Sequence, residues 1–221
     1  MTRSGPDQAG PEGPEGTEAV SVSPGPQVAV LVYPGVNELE LGLTLGLLAP
    51  LGLPGSAGTP DAAAFTVARS RGSVMCAGGL VCTPQLIFAA APALAAIVIP
   101  GGLGAQKAGR DPALREFLAQ ARASRLPLGV VGSGLLLAGE AGLLAGRSVG
   151  CPAPLADTVW GYLPADLQQG RNVSDTPADL SALYSGPGGM NAATVVLELV
   201  AHLWGTERAR QAAERTGAAR T

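Results

Sequence analysis

The chain has 221 residues, of which 47% are hydrophobic and only 14% are charged, so we expect one domain with a large aliphatic core. A formal net charge of -3 and the lack of a basic run argue against nucleic acid as a direct ligand. Three cysteines without a Cys/His cluster predict neither a disulfide framework nor a metal site, and we expect no cofactor. We recognise no signal peptide and no run long enough to cross a bilayer, so we expect a cytoplasmic protein without membrane contact.

The first 26 residues are rich in Gly, Pro, Ser and Glu and predict a disordered tail, followed by one domain over residues 27–221. Within that domain, short apolar runs bounded by turn residues predict buried strands. The strands are expected at residues 28–33, 64–68, 96–99, 126–131 and 182–185, with shorter pieces at 148–149 and, antiparallel or at an edge, at 80–82. Helices are expected at residues 38–48, 111–122, 134–144, 155–162, 191–204 and 206–215.

In the first helix, Leu39, Leu43 and Leu47 recur at four-residue spacing and predict one apolar face. Strands that alternate with helices through Gly-rich turns predict an α/β fold with a mainly parallel, doubly wound sheet. Ligands of such sheets bind beyond the carboxyl ends of the strands. The residues directly after each strand are therefore the candidates for a functional site.

The first and the central strand are each followed by a candidate group. Glu40 follows the first strand among leucines, where its carboxylate is either solvated or serves a pocket. Gly101 and Gly102 follow the central strand within a Pro-Gly-Gly segment. Their backbone N–H groups either belong to a tight turn or bind an anion or oxyanion.

Three later strands also end at candidate residues. The strand at residues 126–131 runs into Gly132-Ser133-Gly134, which has the strand–turn–helix form of a nucleophile elbow. Gly134 permits close helix–strand packing. Cys151 follows the short strand near residue 149, and strand alternation leaves open whether its thiol faces a pocket. Residues 186–189 are interpreted only as a loop that precedes a helix.

Taken together in this order and spacing, these segments resemble the DJ-1/PfpI family (class I glutamine-amidotransferase-like), most of all its isonitrile-hydratase-like and regulator-associated branches. The resemblance covers nearly the whole predicted domain. It rests on Pro34-Gly35-Val36 with Leu39-Glu40-Leu41, Gly78-Gly79-Leu80 through Pro84, Pro100-Gly101-Gly102, and the elbow followed by the Ala-Gly-Leu-Leu-Ala-Gly-Arg stretch at residues 141–147. It implies a flavodoxin-like, three-layer αβα sandwich and a homodimer.

The same resemblance shows where this chain departs from the family. The reactive cysteine of the family falls on Gly132, and the histidine that the family often places shortly after the Gly-Arg pair is absent. Ser133 replaces the nucleophile only if the register slips by one, and Glu40 would then have to be its base. Cys151 lies near the position of the missing histidine. The one histidine, His202, lies in a late helix, where a structural or surface role is expected.

The paired loss of cysteine and histidine predicts a non-catalytic protein that binds an unidentified small metabolite or has a regulatory role. Its site would comprise Glu40, the N–H groups of Gly101 and Gly102, and the helix start at Gly134, with an anionic ligand group on the N–H groups. The alternative is an isonitrile-hydratase-like lyase or hydrolase in which Glu40 activates water. The redox or glyoxal chemistry of other branches would need a thiolate at Gly132.

Overall fold

The computed structural model describes Met1, residues 26–48 and residues 64–218. The predicted tail at residues 1–26 lies almost entirely outside the described residues, and so does the connection at residues 49–63. Within the described ranges, no helix combines the length and the apolar character that a bilayer span requires.

The main strands begin and end close to the apolar runs of the sequence. In chain order the strands are β1 (Val28–Leu31), β2 (Ala64–Ala68), β3 (Val74–Met75), β4 (Val81–Cys82), β5 (Leu86–Ile87), β6 (Ala96–Ile99), β7 (Leu128–Val131), β8 (Ser148–Cys151), β9 (Asp166–Gln169), β10 (Val173–Asp175) and β11 (Leu183–Gly186). Every residue of β1 and of β6 is fully buried, as expected of strands that are covered on both faces. The strands β3, β5, β9 and β10 were not predicted, because β3 and β5 are only two residues long and the polar sequences of β9 and β10 contain no apolar run.

Seven of these strands form one sheet in the order β10-β11-β7-β6-β1-β2-β5. Neighbouring strands are parallel, except that β10 is antiparallel to β11. The chain moves from β1 to β2 on one side and later returns to β6 on the other side of β1. The direction of winding therefore reverses between β1 and β6, which is where doubly wound sheets bind their ligands. The predicted doubly wound sheet is confirmed.

Helices flank this sheet. In chain order they are α1 (Glu38–Leu48), α2 (Ala105–Ala108), α3 (Pro112–Ala123), α4 (Gly134–Glu140), α5 (Ala156–Trp160), α6 (Ala192–Trp204) and α7 (Thr206–Thr216). The helices α1, α6 and α7 pack against one another, while α2, α4 and α5 form a second group. This arrangement confirms the flavodoxin-like α/β fold that the resemblance implies.

The helix α4 ends at Glu140, short of its predicted end at residue 144. Gly142 adopts a left-handed conformation with φ +69°. Its N–H donates to the Gly139 carbonyl at 2.9 Å, and the N–H of Leu143 donates to the Ala138 carbonyl at 3.0 Å. This pair of bonds is a Schellman motif, which stops a helix at a glycine.

The buried face of α1 differs from the predicted one. Its buried residues include Glu40, Thr44 and Leu47, whereas Leu39 is 48% exposed and Leu43 is only partly buried. Leucine occupies almost every second position of this helix, so four-residue spacing alone did not distinguish between several equivalent stripes. The packing of α1 on the sheet selects the stripe that carries Glu40.

The arginine that closes the 141–147 stretch has a structural role. Arg147 is 5% exposed, and its Nε donates to Oδ2 of Asp175. Its Nη2 donates to the carbonyl oxygens of Asp175 at 3.1 Å and of Ser181 at 2.6 Å. The guanidinium therefore connects the start of β8 with β10 and with the segment that leads into β11.

A small antiparallel hairpin of β3 and β4 lies outside the main sheet. It confirms the antiparallel piece expected near residues 80–82. The hairpin is attached to the β1–α1 loop, because the Gly35 N–H donates to the Met75 carbonyl and the Ala77 N–H to the Val36 carbonyl, both at 2.8 Å. It therefore borders the loop that leads to Glu40.

Candidate functional site

The elbow after β7 bends at Gly132. Gly132 has φ +57°, in the left-handed region that favours glycine, whereas Ser133 is in the ordinary right-handed region with φ -71°. The Gly132 N–H donates to the Gly186 carbonyl of β11 at 2.9 Å, and α4 begins at Gly134. The residue at the sharp bend is thus the one without a side chain.

Glu40 is 3% exposed and connects three loops at the carboxyl end of the sheet. Its Oε2 accepts the N–H of Gly101, after β6, at 2.6 Å. Its Oε1 accepts the N–H of Gly189, after β11, at 2.8 Å. Because both donors are backbone groups of other loops, the carboxylate holds the β1, β6 and β11 strand ends together.

Glu40 and Gly132 are neighbours in the folded chain. A Cβ atom built on Gly132 would lie 3.1 Å from Oε1 of Glu40 and 3.4 Å from the Cα of Gly188. A side chain at this elbow would therefore point at the Glu40 carboxylate. The structure brings together the two positions that the sequence marked as acid and elbow, at the point where the sheet reverses its winding.

Ser133 and Gly102 are paired with each other. The Ser133 hydroxyl donates to the Gly102 carbonyl at 2.9 Å and accepts the Gly102 N–H at 2.8 Å. The Gly101 N–H is likewise taken by Glu40. The N–H groups of Gly101 and Gly102, expected to receive an anion, are thus both satisfied within the protein.

The two other candidate residues, Gly134 and Cys151, differ in their roles. A Cβ built on Gly134 would lie 2.5 Å from the Ile99 carbonyl, so this glycine allows α4 to pack directly on the end of β6. Cys151 is fully buried at the end of β8, and burial raises the pKa of its thiol. Among the described residues, no hydrogen bond joins that thiol to Glu40.

Sequence reasoning missed three contributors to the site. Asn37 begins α1, since its Oδ1 accepts the Leu39 N–H at 3.0 Å, and an asparagine before a helix is a cap signal that the sequence offers. Tyr33 donates its hydroxyl to the Pro100 carbonyl at 2.6 Å; burial, and then the Glu40 carboxylate, raise its pKa far above the ordinary value. The third is Gly189, which the sequence analysis assigned to a simple loop.

The remaining candidate groups are elsewhere. His202 is exposed on α6 and meets the ring of Tyr184 edge-on, with the ring centroids 5.9 Å apart. In the part of the chain that the structure describes, no three His, Cys, Asp or Glu residues are grouped so that they could hold a metal ion. The site thus consists of one buried carboxylate, two backbone donors and an elbow without a side chain.

Comparison with known proteins gives one consistent result. The model of the DJ-1/PfpI family matches residues 26–179. Isonitrile hydratase of Pseudomonas putida is 29% identical over 136 residues, which cover 62% of this chain and 53% of that protein, so the chain spans about half the length of this curated relative.

Solved structures show the same relationship. A THiJ/PfpI family protein from Pseudomonas syringae has a TM-score of 0.72 at 25% identity, covering 89% of this chain and 76% of its own. A cysteine-to-alanine mutant of a DJ-1 superfamily protein from Salmonella typhimurium has a TM-score of 0.69 at 26% identity, covering 87% and 98%. Drosophila melanogaster DJ-1beta shares the fold, with a TM-score of 0.72 at 16% identity, covering 89% and 100%. Since the family model matches well over half of its residues, the chain belongs to the DJ-1/PfpI family.

Proposed function

We propose that this chain is a non-catalytic member of its family, which binds a small metabolite or acts in regulation and does not turn a substrate over. The observation that carries this proposal is the combination of Glu40 and Gly132. Each oxygen of Glu40 accepts a backbone N–H, and the elbow beside it offers no nucleophile.

The other candidate nucleophiles support the same proposal. The Ser133 hydroxyl makes two hydrogen bonds with Gly102 and has no histidine to activate it. Cys151 is fully buried, and its raised pKa keeps the thiol protonated and therefore a weak nucleophile at neutral pH. His202 lies on the exposed side of α6 and contacts Tyr184. At the elbow itself, chemistry that needs a side-chain nucleophile would therefore lack its attacking atom.

The contacts also indicate which ligands would suit the site. The N–H groups of Gly101 and Gly102 are occupied, and the adjacent Glu40 carboxylate repels negative charge. Lone pairs that remain on the Glu40 oxygens accept hydrogen bonds. We therefore expect a small neutral or cationic ligand with N–H or O–H donors, such as an amide or an amine, in place of the anion that the sequence predicted.

An isonitrile-hydratase-like activity is the second candidate. It is favoured by the match to the Pseudomonas putida enzyme and by the position of the elbow beside Oε1 of Glu40. A water bound there would attack the terminal isonitrile carbon while Glu40 accepts its proton and returns it to the substrate. Both hydrogens and the oxygen of the water would end in the formamide product.

One assay separates the two candidates. Purified protein is incubated with an alkyl isonitrile and the formamide is measured, with Glu40→Gln as the matched variant. We expect no product above the rate without protein. Turnover by the unmodified chain that Glu40→Gln abolishes would establish the hydratase and end the non-catalytic proposal.

A binding assay tests the favoured candidate directly. Small amides, amines and carboxylates are compared by their effect on the melting temperature. A ligand present at a hundred times its Kd raises the free energy of unfolding by about 2.7 kcal/mol. We expect such stabilisation from amides or amines, lost in Glu40→Gln. Stabilisation by carboxylates that survives this substitution would contradict the proposed ligand chemistry.

We also propose that the chain forms a homodimer through the hairpin surface, defined as Met75, Leu80 and Val81. These side chains are 64%, 56% and 57% exposed. Met75 is paired with Val81 across the hairpin and Leu80 directly precedes Val81, and exposed large apolar side chains on neighbouring residues are typical of interfaces. Leu39, 48% exposed, extends the surface, since the neighbouring Glu38 binds the Gly78 N–H of the hairpin.

The mass in solution tests this interface. Light scattering should give twice the chain mass of 21.9 kDa for the unmodified protein, and one chain mass for Val81→Asp. Leu180 is also 48% exposed but lies away from the hairpin in sequence, so Leu180→Asp should stay dimeric. A dimeric Val81→Asp protein would place the interface elsewhere.

A further inference from the structure

Two of the three cysteines face each other within the hairpin. The Sγ atoms of Cys76 and Cys82 are 3.8 Å apart, and both are free thiols. Cys76 is buried and Cys82 is partly buried. The strand register pairs Met75 with Val81, and their side chains point outward, so the thiols are on the opposite, inner side of the hairpin.

We propose that Cys76 and Cys82 form a dithiol site that hydrogen peroxide oxidises to an intrachain disulfide, and that closing this bond displaces the loop that carries Glu40. The proposal concerns a modification site outside the elbow. It does not depend on whether Glu40 binds a ligand or catalyses a reaction.

The hairpin must move for the bond to form. A disulfide needs about 2.05 Å between its sulfurs, well below the present separation. Cys76 is not directly opposite Cys82, since its N–H donates to the Leu80 carbonyl at 2.7 Å while Cys82 is paired with Val74. Diagonal positions of a hairpin are typically about 7–8 Å apart, beyond the usual Cα separation of a disulfide, so we expect the strands to shift. Oxidation is therefore coupled to a change in hairpin geometry.

The chemistry balances with peroxide as the two-electron oxidant. The more accessible Cys82 attacks one peroxide oxygen as a thiolate, the O–O bond breaks, and a sulfenic acid and water result. Cys76 then attacks the Cys82 sulfur, the S–S bond forms, and the sulfenic hydroxyl leaves as water with the Cys76 proton. Two thiols and one peroxide give one disulfide and two waters.

The attack of Cys76 on the oxidised Cys82 sulfur should become faster as the pH rises. Burial first, and then the hydrogen bond to Cys82, raise the pKa of the Cys76 thiol to about 11. Cys76 is therefore almost fully protonated at neutral pH. The fraction of Cys76 thiolate rises about tenfold for each pH unit below that pKa. Because the thiolate is the attacking species, the rate of disulfide closure should rise with it.

Three hydrogen bonds connect the dithiol to the Glu40 loop. The Gly35 N–H donates to the Met75 carbonyl and the Ala77 N–H to the Val36 carbonyl, on either side of Cys76 in the hairpin. The Gly78 N–H donates to Oε2 of Glu38 at 3.0 Å. A shift of residues 75–78 therefore acts on residues 35–38, directly before Glu40.

Mass spectrometry after alkylation tests the modification. The full chain, with and without hydrogen peroxide, is unfolded and treated with N-ethylmaleimide. The reduced chain should take up three adducts and the oxidised chain one, on Cys151, consistent with its three free cysteines. Cys151→Ser should still lose two adducts on oxidation, and Cys82→Ser should lose none to an intrachain bond.

Hydrogen exchange tests the coupling. Oxidation should change exchange at residues 35–41 at least several-fold in the Cys151→Ser protein and leave it unchanged in Cys82→Ser. Three results would overturn the proposal: sulfinic or sulfonic products in place of the disulfide, a bond between two chains on a non-reducing gel, or an intrachain disulfide without altered exchange at these residues. Reduction with dithiothreitol should restore the adducts on Cys76 and Cys82 and the original exchange rates.

Discussion

Replacing Gly132 by alanine tests whether the elbow has a left-handed backbone from which a side chain would point at Glu40. A non-glycine residue in the left-handed region costs about 1–2 kcal/mol, partly offset by the lower entropy of the unfolded chain. Gly146 provides the matched control: it has φ +72°, and a Cβ built there meets nothing within 4 Å. Gly146→Ala should therefore report the backbone strain alone, at about 1 kcal/mol.

Gly132→Ala should cost more because of one additional contact. Its Cβ would lie 3.1 Å from Oε1 of Glu40, closer than ordinary packing allows. The carboxylate has to move, which weakens its bond to the Gly189 N–H. A hydrogen bond to a charged group contributes about 1.5–3 kcal/mol, and a partial loss brings the expected total to about 2–3 kcal/mol.

Urea and thermal unfolding measure this difference. For a domain of this size, 1 kcal/mol corresponds to about 2–4 °C in Tm, so the two variants should be clearly separated. If Gly132→Ala is no less stable than Gly146→Ala, the elbow is not directed at Glu40. If Gly132→Ala is more stable than the unmodified protein, Gly132 does not adopt the left-handed conformation, and the argument for an elbow fails.

Three further predictions concern stability. Glu40→Gln should lower the free energy of unfolding by about 1–3 kcal/mol, because the side-chain NH₂ group of glutamine cannot accept one of the two backbone hydrogen bonds. An unchanged urea midpoint would contradict the role of Glu40 in joining the three loops. Arg147→Ala should lower the free energy of unfolding by about 3–5 kcal/mol, because it breaks a buried ion pair with Asp175. Arg69→Ala, which breaks a surface ion pair, should cost less than about 1 kcal/mol. Equal losses would contradict the stabilising role of the buried pair. Burial raises the pKa of Asp111, but hydrogen bonds from the Ala113 N–H, Arg69 and the Leu114 N–H lower it more, so the net shift is downward. Asp111 should therefore stabilise the fold above its unfolded pKa of about 3.9 and lose this effect as the pH falls through the lower folded value. Unfolding of Asp111→Asn across pH 2–6 checks this, since that variant keeps a capping oxygen and should lack this pH dependence.

Much of the fold follows from local sequence. The runs that became β1 and β6 are apolar without interruption and end at turn residues, so burial on both faces is their only favourable environment. The run that became β2 is apolar except for Thr66. The start of α3 follows from Asp111 and Pro112, since the Asp111 side chain caps the helix as predicted. The elbow at Gly132 was also visible, because a left-handed bend between strand and helix favours glycine.

The environment of Glu40 was decided by the tertiary structure. A leucine-rich helix offers several equivalent stripes, and only packing on the sheet selected the one that buries this carboxylate. Its partner Gly189 is 149 positions away, so no local pattern could reveal the bond. The sequence by itself determined the alternation of strands and helices, because burial and turn preferences act over neighbouring residues. Only the folded sheet decided which strand ends meet, because hydrogen bonds between loops depend on strand order, which no short segment encodes.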